Sequence, residues 1–140
     1  MTERPRPDTT HPDAPVPRPL DDRGLPPDYR LDPDLELSPR QLKHRLGQGD
    51  DLVLLDCRTP REFAIARIEG ALLLPLQTLP QQIGQLDTFA DREIVTLCHH
   101  GIRSLKAAHL LRRAGFTSVR SLAGGLDAWS LAIDPTVPRY

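Results

Sequence analysis

Hydrophobic positions are scarce at the start of the chain and fall into regular patterns later. Few apolar residues precede Leu31, and ten of the fifteen prolines lie within residues 1–40. Proline removes backbone donors and opposes helix, so residues 1 to about 24 read as disordered or extended. Leu25, Tyr29, Leu31, Leu35 and Leu37 give residues 25–38 enough apolar content to lie along a domain surface. From Ser38 onward, helical and strand patterns alternate. Ser38 followed by Pro39 is a cap with proline at the first helical position; Leu42 and Leu46 stand four apart, and Gly47 stops this helix. Asp51 to Asp56 is a short apolar run suited to a buried strand. Thr59-Pro60-Arg61-Glu62 reads as a capping box opening a short helix. Ala71 to Pro75 is a second strand candidate, Gln77 to Leu86 has helical spacing, and Ile94 to Cys98 is a third strand. Leu105, Ala107, Ala108, Leu110, Leu111 and Ala114 give Arg103 to Ala114 one apolar helical stripe, ended by Gly115. Ser118 to Ser121 is a fourth strand candidate, and Gly124-Gly125 leads into a last helix carrying Trp129.

Strands alternating with helices predict an α/β fold, with a mainly parallel sheet covered on both faces. Ligands in such folds sit beyond the carboxyl ends of strands. With 140 residues there is room for one domain, set at 38–140, with 1–37 as a proline-rich arm. The longest apolar run, Ile68 to Leu76, is too short for a membrane helix and is broken by Glu69 and Pro75. No secretion-signal pattern opens the chain, which leads to the expectation of a cytoplasmic protein. The formal net charge of −1 points to neither nucleic acid nor membrane as a partner. Residues 1–40 are net −3 and the remainder net +2. Two cysteines, Cys57 and Cys98, make neither a disulfide framework nor a metal site by themselves.

The segment Cys98-His99-His100-Gly101-Ile102-Arg103-Ser104 ends a predicted strand and opens the strongest predicted helix. A helix start exposes free N–H groups and the positive end of the dipole. Gly101 permits a bend that turns successive N–H groups inward, and Arg103 adds a fixed charge. These groups are expected to favour the Cys98 thiolate and to stabilise an anion attached to, or approaching, its sulfur.

Four motifs together resemble the rhodanese family over about residues 38–140. Leu54-Leu55-Asp56-Cys57-Arg58-Thr59-Pro60-Arg61-Glu62-Phe63 is similar to its first signature. Ile68-Glu69-Gly70-Ala71 with Leu74-Pro75-Leu76 is similar to its second. Cys98-x-x-Gly-x-Arg-Ser resembles the active-site loop, and Gly115-Phe116 with Leu122 to Trp129 resembles the closing signature. Ala66-Arg67 stands where many relatives have Gly-His, and His99-His100 where many carry Arg-Ser or Lys. The His-His loop and the segment Ile133 to Tyr140 resemble the rhodanese domain of molybdopterin-synthase-type adenylyltransferases. The resemblance implies a five-stranded parallel sheet flanked by helices. It also implies sulfur transfer in two steps: Cys98 takes the outer sulfur of a donor such as thiosulfate, and cyanide, a thiol or a sulfur-carrier protein then accepts it. No metal or organic cofactor is required.

Two other readings stand beside this one. A rhodanese-like module can dock a partner or relay sulfur without catalysis. Cdc25-type phosphatases and arsenate reductases share the fold, but hold a tetrahedral oxyanion in a loop with five residues between Cys and Arg. Only four lie between Cys98 and Arg103. Among supporting residues, Asp56 is expected to fix the backbone of a neighbouring loop. Glu62 either pairs with Arg103 or caps its own helix. Arg58 and Arg67 are read as solvated, or as drawing an anionic donor inward, and His99 and His100 as solvated. Cys57 is either a small buried hydrophobe or a back-door thiol toward Cys98, as the matching cysteine is in Cdc25-type phosphatases.

Overall fold

The computed structural model describes residues 19–140. Its five strands are β1 (Glu36–Leu37), β2 (Leu52–Asp56), β3 (Leu72–Leu73), β4 (Glu93–Leu97) and β5 (Val119–Leu122). The helices are α1 (Pro39–Gly47), α2 (Pro60–Ile65), α3 (Leu79–Gln82), α4 (Ile102–Arg113) and α5 (Gly125–Ala132). The sheet runs β1-β5-β4-β2-β3 with every pair parallel.

Period-two alternation sorts the strand residues onto two cores. Val53, Leu55, Ile94 and Val119 pack with Ala107, Ala108 and Leu111 of α4 and Leu79 of α3. Leu54, Val95, Leu97 and Leu122 pack on the other face with Leu42 of α1 and with Leu126 and Trp129 of α5. Both faces of the sheet are therefore dry, which parallel sheets require.

The chain leaves β2 toward β3 on one side and leaves β4 toward β5 on the other. The gap between the carboxyl ends of β2 and β4 is the topological switch point, where open α/β sheets bind ligands. Asp56 and Leu97 are the last paired residues there, and the next residues are Cys57 and Cys98.

Several expectations change. Residues 1–18 of the expected arm lie outside the described residues. Residues 25–37 lie against the domain, and residues 19–24, expected to be disordered or extended, are fastened there as well: Leu25 is fully buried against Ala123 and Ala128, and Arg23 bonds Asp21, Pro26 O and Tyr29 O. The fifth strand, β1, lies before the expected boundary at residue 38. It is held to β5 in register Glu36↔Ser121 and Leu37↔Leu122. The helical spacing of Gln77 to Leu86 is realised only in part, as the single turn of α3 between two 3₁₀ segments. Pro80 starts that turn, and Gly84 weakens the helix just beyond it.

Candidate active site at the carboxyl edge of the sheet

The Cys98 side chain is 1% exposed and its sulfur sits under the first turn of α4. The backbone N–H of Gly101 donates to Sγ at 3.1 Å and that of Ser104 at 3.3 Å. Ser104 Oγ lies 3.4 Å from the sulfur and 2.7 Å from Ser121 Oγ. α4 has no side-chain cap of its own; Gly101 caps it at φ +105°, a conformation strained for any residue with a Cβ. The sulfur thus takes the place of a capping oxygen, and helix-terminal N–H groups converge on it.

α5 fixes the loop from behind. Leu126 N donates to Cys98 O at 2.8 Å and Asp127 N to His99 O at 3.1 Å. This contact requires glycine at 125, because a Cβ there would stand 2.4 Å from His99 O and 2.6 Å from Cys98 O. Gly124-Gly125 is visible in the sequence as a helix opening, but nothing local indicates that its backbone lies against the Cys98 loop.

Glu62 fulfils both of its alternatives. It completes the capping box with Thr59, and it binds Arg103 bidentately at 2.6 and 2.8 Å. The Arg103 guanidinium holds the Glu62 carboxyl far below the usual carboxylate range. Glu62 in turn keeps Arg103 charged, and Arg103 interacts electrostatically with Cys98.

Arg58 is a correction. It is fully buried and unable to draw a donor inward. Its Nε and Nη2 clasp Asp56 at 2.8 and 2.6 Å, and Nη2 donates to Ala66 O at 2.5 Å. Asp56 also accepts the Arg58 backbone N–H at 3.1 Å, fixing the turn after β2. Arg67 donates to Phe63 O and lies over the Phe63 ring. The two histidines differ. His100 is exposed, but His99 is half-buried between the His100 and Tyr140 rings, with centroids 3.9 and 4.1 Å away. Burial, and then its neighbour His100, hold its pKa below the usual histidine value. Among the described residues no group of three His, Cys, Asp or Glu could hold a metal ion.

Cys57 is buried at the end of β2, with its N–H on Leu97 O at 2.9 Å and its thiol 3.7 Å from Leu55 O. That ladder bond places it beside Cys98. Burial pushes its pKa up to about 12, and the Cys98 charge adds to the rise. No local pattern marks Tyr140 as a site residue, because only the fold brings it to residues 58, 62 and 99. Ile102, at the crest of the loop, is 69% exposed. Among the described residues no helix is long and apolar enough to cross a membrane.

Comparison with known proteins agrees with this geometry. Residues 38–132 match the family described as rhodanese-like domain. A probable adenylyltransferase/sulfurtransferase of Mycobacterium tuberculosis, MoeZ, is 35% identical over 104 residues, covering 74% of this chain and 26% of that protein. The chain thus spans about a quarter of the length of that relative. A protein of Allochromatium vinosum named sulfurtransferase is 36% identical over 95 residues, covering 68% of this chain and 87% of that one. A rhodanese-like domain protein from Staphylococcus aureus superposes with a TM-score of 0.63 at 26% identity, covering 76% of this chain and 98% of that one.

Proposed function

The chain belongs to the rhodanese-like domain family, and from that premise we propose that it transfers sulfane sulfur through a persulfide on Cys98. The observation that carries this reading is a buried sulfur accepting the Gly101 and Ser104 N–H groups at the start of α4. In the first step the Cys98 thiolate attacks the outer sulfur of a donor such as thiosulfate. A Cys98 S–S bond forms, the donor's S–S bond breaks, and sulfite leaves with the electron pair. In the second step a thiophilic acceptor attacks the outer persulfide sulfur. With cyanide, thiocyanate leaves and the thiolate returns. A protein thiol fits the same step: it attacks the outer sulfur, becomes a persulfide itself and releases the Cys98 thiolate, a relay in keeping with the adenylyltransferase/sulfurtransferase name of one relative. Dividing the transfer in two is the advantage of covalent catalysis, and the loop N–H groups supply the charge stabilisation of an oxyanion hole. The test is mass spectrometry after thiosulfate treatment. The gain of one sulfur atom on Cys98, lost again on adding cyanide, is the expected result. Sulfur absent from Cys98, or retained in the presence of cyanide, overturns the reading and favours a docking module.

A second role is proposed for Cys57 as a slow back-door thiol. Its place beside Cys98 on the ladder supports this role. Peroxide would convert the Cys98 sulfur to sulfenic acid; the Cys57 sulfur would then bond to it as hydroxide leaves, giving a disulfide and water. The high pKa of Cys57 limits the rate of that second step.

A further inference from the structure

The segment after α5 returns across the carboxyl edge of the sheet and is fastened at successive points. Val137 is buried in the core, and its carbonyl accepts Ser130 Oγ–H at 2.5 Å. Arg139 binds Asp127 at 2.8 and 3.3 Å, and Asp127 also donates its backbone N–H to His99 O. This fastening delivers Tyr140 to the Cys98 loop. Its ring stacks on His99, and its hydroxyl accepts from Arg58 Nη1 at 2.9 Å and donates to Glu62 Oε2 at 2.8 Å.

That hydroxyl joins two ion pairs of different kinds. On one side is Arg58, buried and fully engaged. On the other is Glu62, the carboxylate facing Arg103. A carboxylate that accepts an O–H bond has less negative charge left to offset its arginine. We propose that Tyr140 is a positioning residue for anionic donors: its hydroxyl draws charge from Glu62 and so leaves Arg103 electropositive toward an anion approaching Cys98. This inference rests on the reading of Cys98 as the nucleophile that receives an anionic donor. Burial holds the phenol pKa up at about 12, so it remains a donor at neutral pH.

The test compares alkylation of Cys98 by anionic iodoacetate and neutral iodoacetamide in the wild-type chain and in Tyr140→Phe, which keeps the ring stack and removes only the hydroxyl. The ratio of the two rates reports the pull on anions without requiring any sulfur transfer. In Tyr140→Phe the ratio is expected to fall by roughly threefold to tenfold, the scale of one ordinary hydrogen bond, with the iodoacetamide rate little changed. Tyr140→Ala should show the same fall in ratio. With thiosulfate as donor, KM should rise while kcat holds. An unchanged ratio, or an equal fall in both alkylation rates, overturns the proposal. A lowered ratio in a chain that never forms a persulfide would sink the sulfurtransferase reading on which the donor role rests, and leave standing only the effect of Tyr140 on anions approaching Cys98.

Discussion

α2 and α4 both start at the carboxyl edge of the sheet, each just after a cysteine, and they start differently. α2 is closed by its own residues: Thr59 Oγ1 accepts Glu62 N–H at 3.2 Å, and Glu62 Oε1 accepts Thr59 N–H at 3.2 Å. The cysteine before it, Cys57, is left among apolar neighbours. α4 has glycine where α2 has threonine, so its N–H groups bond the Cys98 sulfur instead. Both starts are formed from orphan N–H groups. A helix becomes chemically useful where the sequence withholds the side chain that would satisfy them.

The largest effect comes from changing the atom that caps α4. Cys98→Ser should reduce sulfur transfer to background with little change in melting temperature, because a serine oxygen can still accept the two N–H groups. Cys98→Ala should be equally inactive and also less stable by about 1 kcal/mol, the usual loss when a cap is removed. Equal stability of the two variants in denaturant titrations would show that the sulfur does not cap the helix. Next in size is Gly125→Ala. A methyl group 2.4 Å from His99 O, on a residue at φ +64°, must displace the loop. A loss of about 2–4 kcal/mol and most of the activity is expected; wild-type kinetics would mean that α5 does not fix the loop.

Smaller effects test the closed start. Glu62→Gln should lower stability at neutral pH. Arginine pairing depresses the folded-state pKa of Glu62, so its contribution is complete above the unfolded carboxylate value of about 4.3 and fades as pH falls below it. The difference in melting temperature from wild type should therefore narrow in acid. A difference that widens there contradicts the pairing. Thr59→Ala should reduce stability by about 1 kcal/mol and leave the Cys98 alkylation rate unchanged, read by calorimetry and mass spectrometry. The smallest expected signal is at Cys57. Iodoacetamide at neutral pH should label Cys98 alone, since Cys57 stays protonated. Under mild peroxide the Cys57–Cys98 disulfide should form slowly and faster at higher pH. Identical recovery of wild type and Cys57→Ser after reduction would remove the back-door role.

How much of the fold is legible in the sequence depends on how locally each feature is encoded. The capping boxes at Ser38 and Thr59 and the apolar stripe of α4 are statements about residues three and four apart, and they reappear as α1, α2 and α4. The Cys98 loop is readable because its glycine, arginine and serine lie within seven residues. β1 is not, since two residues starting with a buried glutamate carry no strand pattern, and its partner Ser121 is far along the chain. Arg58 reads as exposed because arginine usually is. Its burial depends on Asp56 and on the Ala66 carbonyl, which the turn after β2 brings to it. Leu25 counts among the apolar residues of 25–38, but its full burial depends on Ala123 and Ala128, far along the chain; Tyr140 reaches its partners only through the path of the chain after α5.

The two N–H bonds to the Cys98 sulfur have a spectroscopic consequence. An amide proton resonance is sensitive to the charge and polarisability of the atom it faces. Gly101 and Ser104 face the one atom whose substitution changes in each half of the proposed cycle. In an isotope-labelled sample their two cross-peaks act as built-in reporters, moving together as the sulfur passes from thiolate to persulfide and back. Peaks from the interior of α1, on the opposite face of the sheet, supply the stationary reference against which that movement is read.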